Sequence, residues 1–101
     1  MIDNEKIKEQ ADYFGTEDRL CQLMEECGEL IQAANKYRRH MNGDATLNAI
    51  PLLLKEDMTE EMADVSLLMK EISYLLDIDE EDIANEVEEK LSRTEVLLWN
   101  D

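Results

Sequence analysis

Leu20-Cys21-Gln22-Leu23-Met24-Glu25-Glu26-Cys27-Gly28-Glu29-Leu30-Ile31 is the stretch on which the reading of this chain turns. Leu20, Met24, Cys27, Ile31 and Ala34 recur at spacings of three and four, the period of a helix that buries one face. Glu25, Glu26 and Glu29 sit inside this apolar pattern, where a solvated charge run is not expected. A second run, Glu60-Glu61-Met62-Ala63-Asp64, lies within another stripe made of Met58, Met62, Val65, Met69, Ile72 and Leu76. Carboxylates three apart share one side of a helix, because a turn takes 3.6 residues. At about 100° per residue, Glu26 and Glu29 fall on one flank of the first stripe, and Glu61 and Asp64 on the edge of the second. Glu25 falls nearer solvent, and Glu60 points away.

The rest of the chain is consistent with helices joined by short connections. A length of 101 residues predicts a single helical domain over 1–101. Apolar residues make up 44%, enough for a small core that self-association would enlarge. With only 3 Gly and 1 Pro there is little punctuation for β structure, and Glu, Leu, Met, Ala and Lys favour helix. The expected fold class is all-α, with four helices. The first runs from about Asp3 to Phe14 and ends at Gly15. The second is capped by Thr16, carries Glu17 and Asp18 in its first turn, and ends in the basic run Lys36 to His40. Asn42-Gly43-Asp44 signals a turn. The third begins near Pro51, with a break expected around Asp57 to Thr59. Asp77-Ile78-Asp79 connects it to a fourth helix capped by Asp79, whose Ile83, Val87, Leu91 and Val96 or Leu97 face inward.

The net charge of −16 argues against a nucleic-acid polymer as partner, because that binding uses clustered Lys and Arg. It disfavours an anionic membrane surface likewise. Small anions are compatible with the chain if cations bridge them to its acids. Cys21 and Cys27 cannot bond to one another on a single helix, which fits reduced thiols and a cytoplasmic location. No apolar run approaches the length of a membrane span, and no signal peptide opens the chain. If the two stripes pack antiparallel, Glu26, Glu29, Glu61 and Asp64 converge. Without cations they repel and their pKa values rise; hard oxygen ligands of this kind suit Mg²⁺ or Mn²⁺. The competing structural reading is that acids spaced by three arise by chance on the flanks of helices in an acidic protein.

The two runs resemble those of the MazG-like all-α nucleoside triphosphate pyrophosphohydrolases. That family's pattern is Glu-x-x-Glu followed by Glu-x-x-Asp, and here it reads Glu26-Cys27-Gly28-Glu29 and Glu61-Met62-Ala63-Asp64. The flanks Leu23 to Leu30 and Glu60 to Val65, and the upstream Tyr13-Phe14-Gly15, are similar as well. The likeness covers roughly residues 5 to 95, and departs from the family by an insertion around Ala45 to Lys55. The resemblance implies a MazG-like four-helix bundle completed as a homodimer or homotetramer. It implies Mg²⁺-dependent hydrolysis of a nucleoside triphosphate between the α- and β-phosphates, to a monophosphate and pyrophosphate, and a house-cleaning role in the nucleotide pool. Glu26, Glu29, Glu61 and Asp64 are the metal ligands it implies, and Lys90 and Arg93 the phosphate contacts, with Asn85 a weaker counterpart. Either Glu25 or Glu26 is the general base. Phe14, Tyr13, Tyr37 and Trp99 are the aromatics available to stack on a base, though residues of this kind more often belong to a core or interface.

Other readings compete. A phosphoribosyl-ATP pyrophosphohydrolase-like enzyme would cleave the same bond in a different substrate. A non-catalytic helical dimer, acting as an interaction or regulatory module, would share these stripes. A ferritin-like di-iron bundle needs two Glu-x-x-His motifs, and the lone His40 does not follow a Glu by three. A calcium loop from Asp77 to Glu88 has Asp82 where the sharp turn needs Gly.

Overall fold

The computed structural model describes residues 1–99. It consists of α1 (Asn4–Phe14), α2 (Thr16–Met41), α3 (Pro51–Leu75) and α4 (Glu80–Trp99), with no strand among the described residues. The chain is all-α with four helices, as its composition predicts.

Local chemistry explains the boundaries. Asp3 caps α1, its Oδ1 accepting from the backbone N–H of Glu5 and Lys6 at 3.0 and 3.3 Å. Gly15 ends α1 at φ 88°, a conformation that favours glycine, and it also precedes α2. Thr16 is therefore the first residue of α2 and not its cap. Arg38, Arg39 and His40 occupy the last turn of α2, where cations oppose the helix dipole. Gly43, at φ 73°, makes the turn. Asp44 then folds the connection onto α2. It accepts from the Thr46 hydroxyl at 2.6 Å and from Arg39 Nε at 2.7 Å, and these two donors hold its carboxyl down at about 2. Pro51 starts α3, where its missing N–H costs nothing. The expected insertion is thus divided, since Pro51 to Lys55 are helical and only the residues before them form a loop. No break occurs at Asp57 to Thr59: the Thr59 hydroxyl donates back to the Lys55 carbonyl at 2.8 Å and the helix runs through. Asp79 caps α4 by accepting from the Glu81 N–H at 2.9 Å.

α2 and α3 pack antiparallel along a seam that is largely polar. Arg19, near the start of α2, meets Glu71, near the end of α3, with Nη1 to Oε1 at 3.4 Å. Gln22 and Leu68 line one cavity between the helices, and Ala33 and Asp57 line another. The contributors Arg19, Gln22, Glu26, Glu29 and Ala33 recur at three and four on α2. Asp57, Glu61, Asp64, Leu68 and Glu71 do the same on α3. This is the seam spacing of paired helices, with carboxylates at its centre. Leu54, Leu68 and Ile72 of α3 are buried, together with Ala33, Ile7 and Ala11. The Tyr74 hydroxyl donates to Asp12 Oδ2 at 2.8 Å and ties α1 to α3.

This arrangement overturns the expected core of α2. With Glu26 and Glu29 on the seam, Leu20, Met24, Ile31 and Ala34 lie roughly opposite, at about 100° per residue. Met24 is 72% and Ile31 69% exposed. The stripe is a real helical face, but apart from half-buried Cys27 it looks outward. On α3, Met62 and Met69 are exposed too, while Ile72 is buried. Ile83 rests over α3 in a cavity with Met69 and Ser73, and Lys70 reaches Glu80 at 3.6 Å. Past that first turn α4 buries nothing, and Val87, Leu91, Val96 and Leu97 are exposed, not inward. Leu52 and Leu53 are open as well, whereas Leu54 is covered.

The Arg19–Glu71 pair makes the seam testable. Glu71 is fully buried, so removing its only cation leaves a charge without compensation. Arg19→Met is expected to cost about 3 kcal/mol in urea unfolding, and the double change to Met at Arg19 and Glu71 to recover most of it. A loss well under about 1 kcal/mol in the single variant would show that the pair is not what registers the two helices.

Candidate metal centre on the helix seam

Four acids meet at mid-seam. One carboxylate oxygen from each of Glu26, Glu29 and Glu61 lies within 4.8 Å of the others. Asp64 stands across from Glu26 and lines the same cavity. Helical period brings them together: three-residue steps put both acids of each helix on one face, and antiparallel packing sets the faces opposite.

The electrostatics follow from that crowding. Glu29 is exposed, yet its carboxyl is pushed up to about 7, first by a hydrogen bond to Glu26 and then by the charges of Glu26 and Glu61. Glu61 is raised by desolvation and then by Glu26, and Asp64 by the same two causes in the same order. Gln22 Nε2 donates to Glu26 Oε1 at 3.0 Å, but Glu26 Oε2 and Glu61 Oε2 are buried without a partner. Such oxygens need either a retained proton or a cation, and an orphaned oxygen on each helix is the pattern a divalent ion would satisfy. The donor set, carboxylates only, suits Mg²⁺ or Mn²⁺.

A cavity opens on either side of the acids. One, of about 230 Å³, is lined by Arg19, Gln22, Glu26, Asp64, Leu68 and Glu71, with Leu67 at its rim. The other, of about 360 Å³, is lined by Glu29, Gln32, Ala33, Lys36, Asp57 and Glu61. Lys36 has no ion pair among the described residues, which leaves a free cation beside the cluster.

The remaining candidates fall elsewhere. Glu25 and Glu60 are exposed and line neither cavity. Lys90 and Arg93 lie on the exposed part of α4 and also line neither, and Arg93 pairs with Glu89 on its own helix. Asn85 is exposed on the same helix. Tyr13 and Phe14 meet edge to face at 5.0 Å, and Phe14 carries the Arg19 guanidinium 4.1 Å above its ring. Tyr37 packs on His40, and Trp99 is exposed. Sequence reasoning missed Gln22, Lys36, Arg19 and Glu71. The signal was present: Arg19, Gln22, Glu26, Glu29, Ala33 and Lys36 continue one column of three- and four-residue steps, as do Asp57, Glu61, Asp64, Leu68 and Glu71. No protein family, curated protein or solved structure matches the chain in comparison with known proteins. Among the described residues no helix is long and apolar enough to cross a membrane.

The raised Glu29 carboxyl has a definite pH signature. The folded chain holds this proton more tightly than the unfolded chain, so stability falls as pH rises from 4.5 to about 7. The net charge of −16 contributes a slope of its own, so the comparison is with Glu29→Gln. In chelator, the thermal midpoint of the parent chain should drop more steeply over that window than that of Glu29→Gln. Added Mg²⁺ should raise the parent's midpoint at the upper end. Parallel profiles with no response to Mg²⁺ would mean that the acids are not crowded as described.

Proposed function

We propose that this protein is a metal-dependent nucleoside triphosphate pyrophosphohydrolase of the MazG-like kind, hydrolysing the linkage between the α- and β-phosphates. The observation that carries the proposal is the pair of orphaned buried oxygens, Glu26 Oε2 and Glu61 Oε2, at the meeting point of three carboxylates. Glu26, Glu29 and Glu61 would hold Mg²⁺ or Mn²⁺, with Asp64 beside Glu26. When bound, the ion neutralises charge on the phosphate oxygens and acidifies a coordinated water.

The chain's own residues supply the rest. Glu26 lines the cavity and Glu25 does not, which supports Glu26 over Glu25 as the carboxylate that accepts the proton of the attacking water. Gln22 fixes its orientation through Oε1. The phosphorus–oxygen bond to the leaving pyrophosphate breaks as the bond to water forms. Lys36, at the far end of the second cavity, stands where it can steady the pyrophosphate half as a point charge. Lys90 and Arg93 stay in the proposal as phosphate contacts delivered by a neighbouring copy.

Self-association is part of this reading. The outward faces of α2 and α4 leave Met24 and Ile31, and Val87 and Leu91, open to solvent, which supports it. A homodimer or homotetramer would bury them. The same surface favours one competing reading, a non-catalytic helical dimer used as an interaction module. Calorimetric titration with Mg²⁺, with and without a non-hydrolysable nucleotide, separates the two, because the module binds neither.

Glu61→Gln should abolish pyrophosphate release from a panel of nucleoside triphosphates while leaving the helical circular dichroism intact. Full activity in that variant, or in excess chelator, refutes the assignment, and orthophosphate as sole product contradicts the proposed bond. Lys36→Met should raise KM several-fold with kcat little changed, the mark of a lost ground-state contact. An unchanged KM would remove Lys36 from the substrate path.

A further inference from the structure

The open cavity lined by Arg19, Gln22, Glu26, Asp64, Leu68 and Glu71 includes an unusual group in its wall. Glu71 is fully buried, the largest side chain among the described residues to be so. Its Oε1 faces Arg19, whose guanidinium is also held by Asp18 at 2.6 Å and lies over Phe14. Its Oε2 is buried and has no hydrogen-bond partner. A buried acceptor without a donor is costly, and native proteins seldom leave one unless something else supplies the donor. The acids at the mouth of this cavity belong to the proposed metal centre, so the inference rests on that reading.

The cavity cannot welcome the phosphates. Its one cation, Arg19, is shared between two carboxylates, whereas Lys36 on the other side of the acids is free. A triphosphate spanning the cluster therefore points its pyrophosphate end toward Lys36 and its nucleoside toward Glu71. The volume of about 230 Å³ is below the roughly 300–1,000 Å³ of typical small-molecule sites, which suits a base and not a whole nucleotide. Leu67 and Leu68 offer apolar wall to a ring, and Glu71 Oε2 offers an acceptor to its edge.

We infer that Glu71 is a specificity residue that selects nucleobases carrying an exocyclic amino group on the edge that enters this cavity. An amino N–H donates to Oε2 and satisfies it. A carbonyl at the same place sets one acceptor against another and leaves both unpaired. Sites built around one such hydrogen bond discriminate far more strongly than apolar pockets do. Arg19 positions Glu71 and supplies its counter-charge.

The test compares matched triphosphates with Mg²⁺, following pyrophosphate release. Cytidine against uridine triphosphate exchanges an amino group for a carbonyl, and guanosine against inosine triphosphate deletes an amino group. The parent chain should favour the amino-bearing member of at least one pair by roughly tenfold or more in kcat/KM. Glu71→Gln, whose amide can present either a donor or an acceptor, should bring that ratio close to one, with its helical signal retained. If Glu71→Gln does not fold, the parent's ratios alone decide, and equal rates within both pairs overturn the inference. Hydrolysis of every triphosphate without preference, or a preference that Glu71→Gln leaves intact, overturns the role of Glu71 while the pyrophosphohydrolase reading stands. No release from any triphosphate removes that reading, and this inference with it.

Discussion

Mutual repulsion among carboxylates at the centre of the α2–α3 seam is the constraint around which this structure is arranged. Glu26, Glu29 and Glu61 bring oxygens within 4.8 Å of one another at the position where paired helices ordinarily place leucine. The seam tolerates this because its ends are compensated. At one end Arg19 and Glu71 form a buried pair and Tyr74 ties in α1; toward the other, Ala33 and Leu54 give an apolar closure. In the middle the balance is incomplete, and Glu29 reports this as a carboxyl that releases its proton only near neutrality. A fold that keeps such a cluster at a helix junction gives up local stability there.

The same constraint explains the exposed faces. A helix has one seam direction. Once α2 turns its acids toward α3, its apolar stripe must face away, by the geometry of 3.6 residues per turn. Leu20, Met24 and Ile31 are then left open to solvent, together with the greater part of α4. The rotation that builds the acid cluster also creates this exposed apolar surface.

Much of this was legible in the residues. The helix ends were, because Asp3, Gly15, Pro51 and Asp79 act through short-range backbone chemistry. So was the meeting of Glu26, Glu29 and Glu61, since three-residue spacing on two helices admits few other placements. The orientation of α2 was not. Leu20, Met24 and Ile31 look like a core stripe in sequence, and periodicity alone does not tell which of two faces the helix turns toward its neighbour. The uninterrupted course of α3 through Thr59 was missed for a smaller reason, as a residue that caps a helix can also hydrogen-bond back into one.

By itself the sequence determined the all-α class, four helices and the pairing of acids on a common face, because these depend on local period and capping. Only the tertiary structure decided which face of α2 points inward. It alone joined Arg19 to Glu71 across 52 positions of chain and set Lys36 and Glu71 on opposite sides of the acids. Those outcomes depend on how two helices rotate and slide against each other, and that is settled by the balance of buried charge and packing between them.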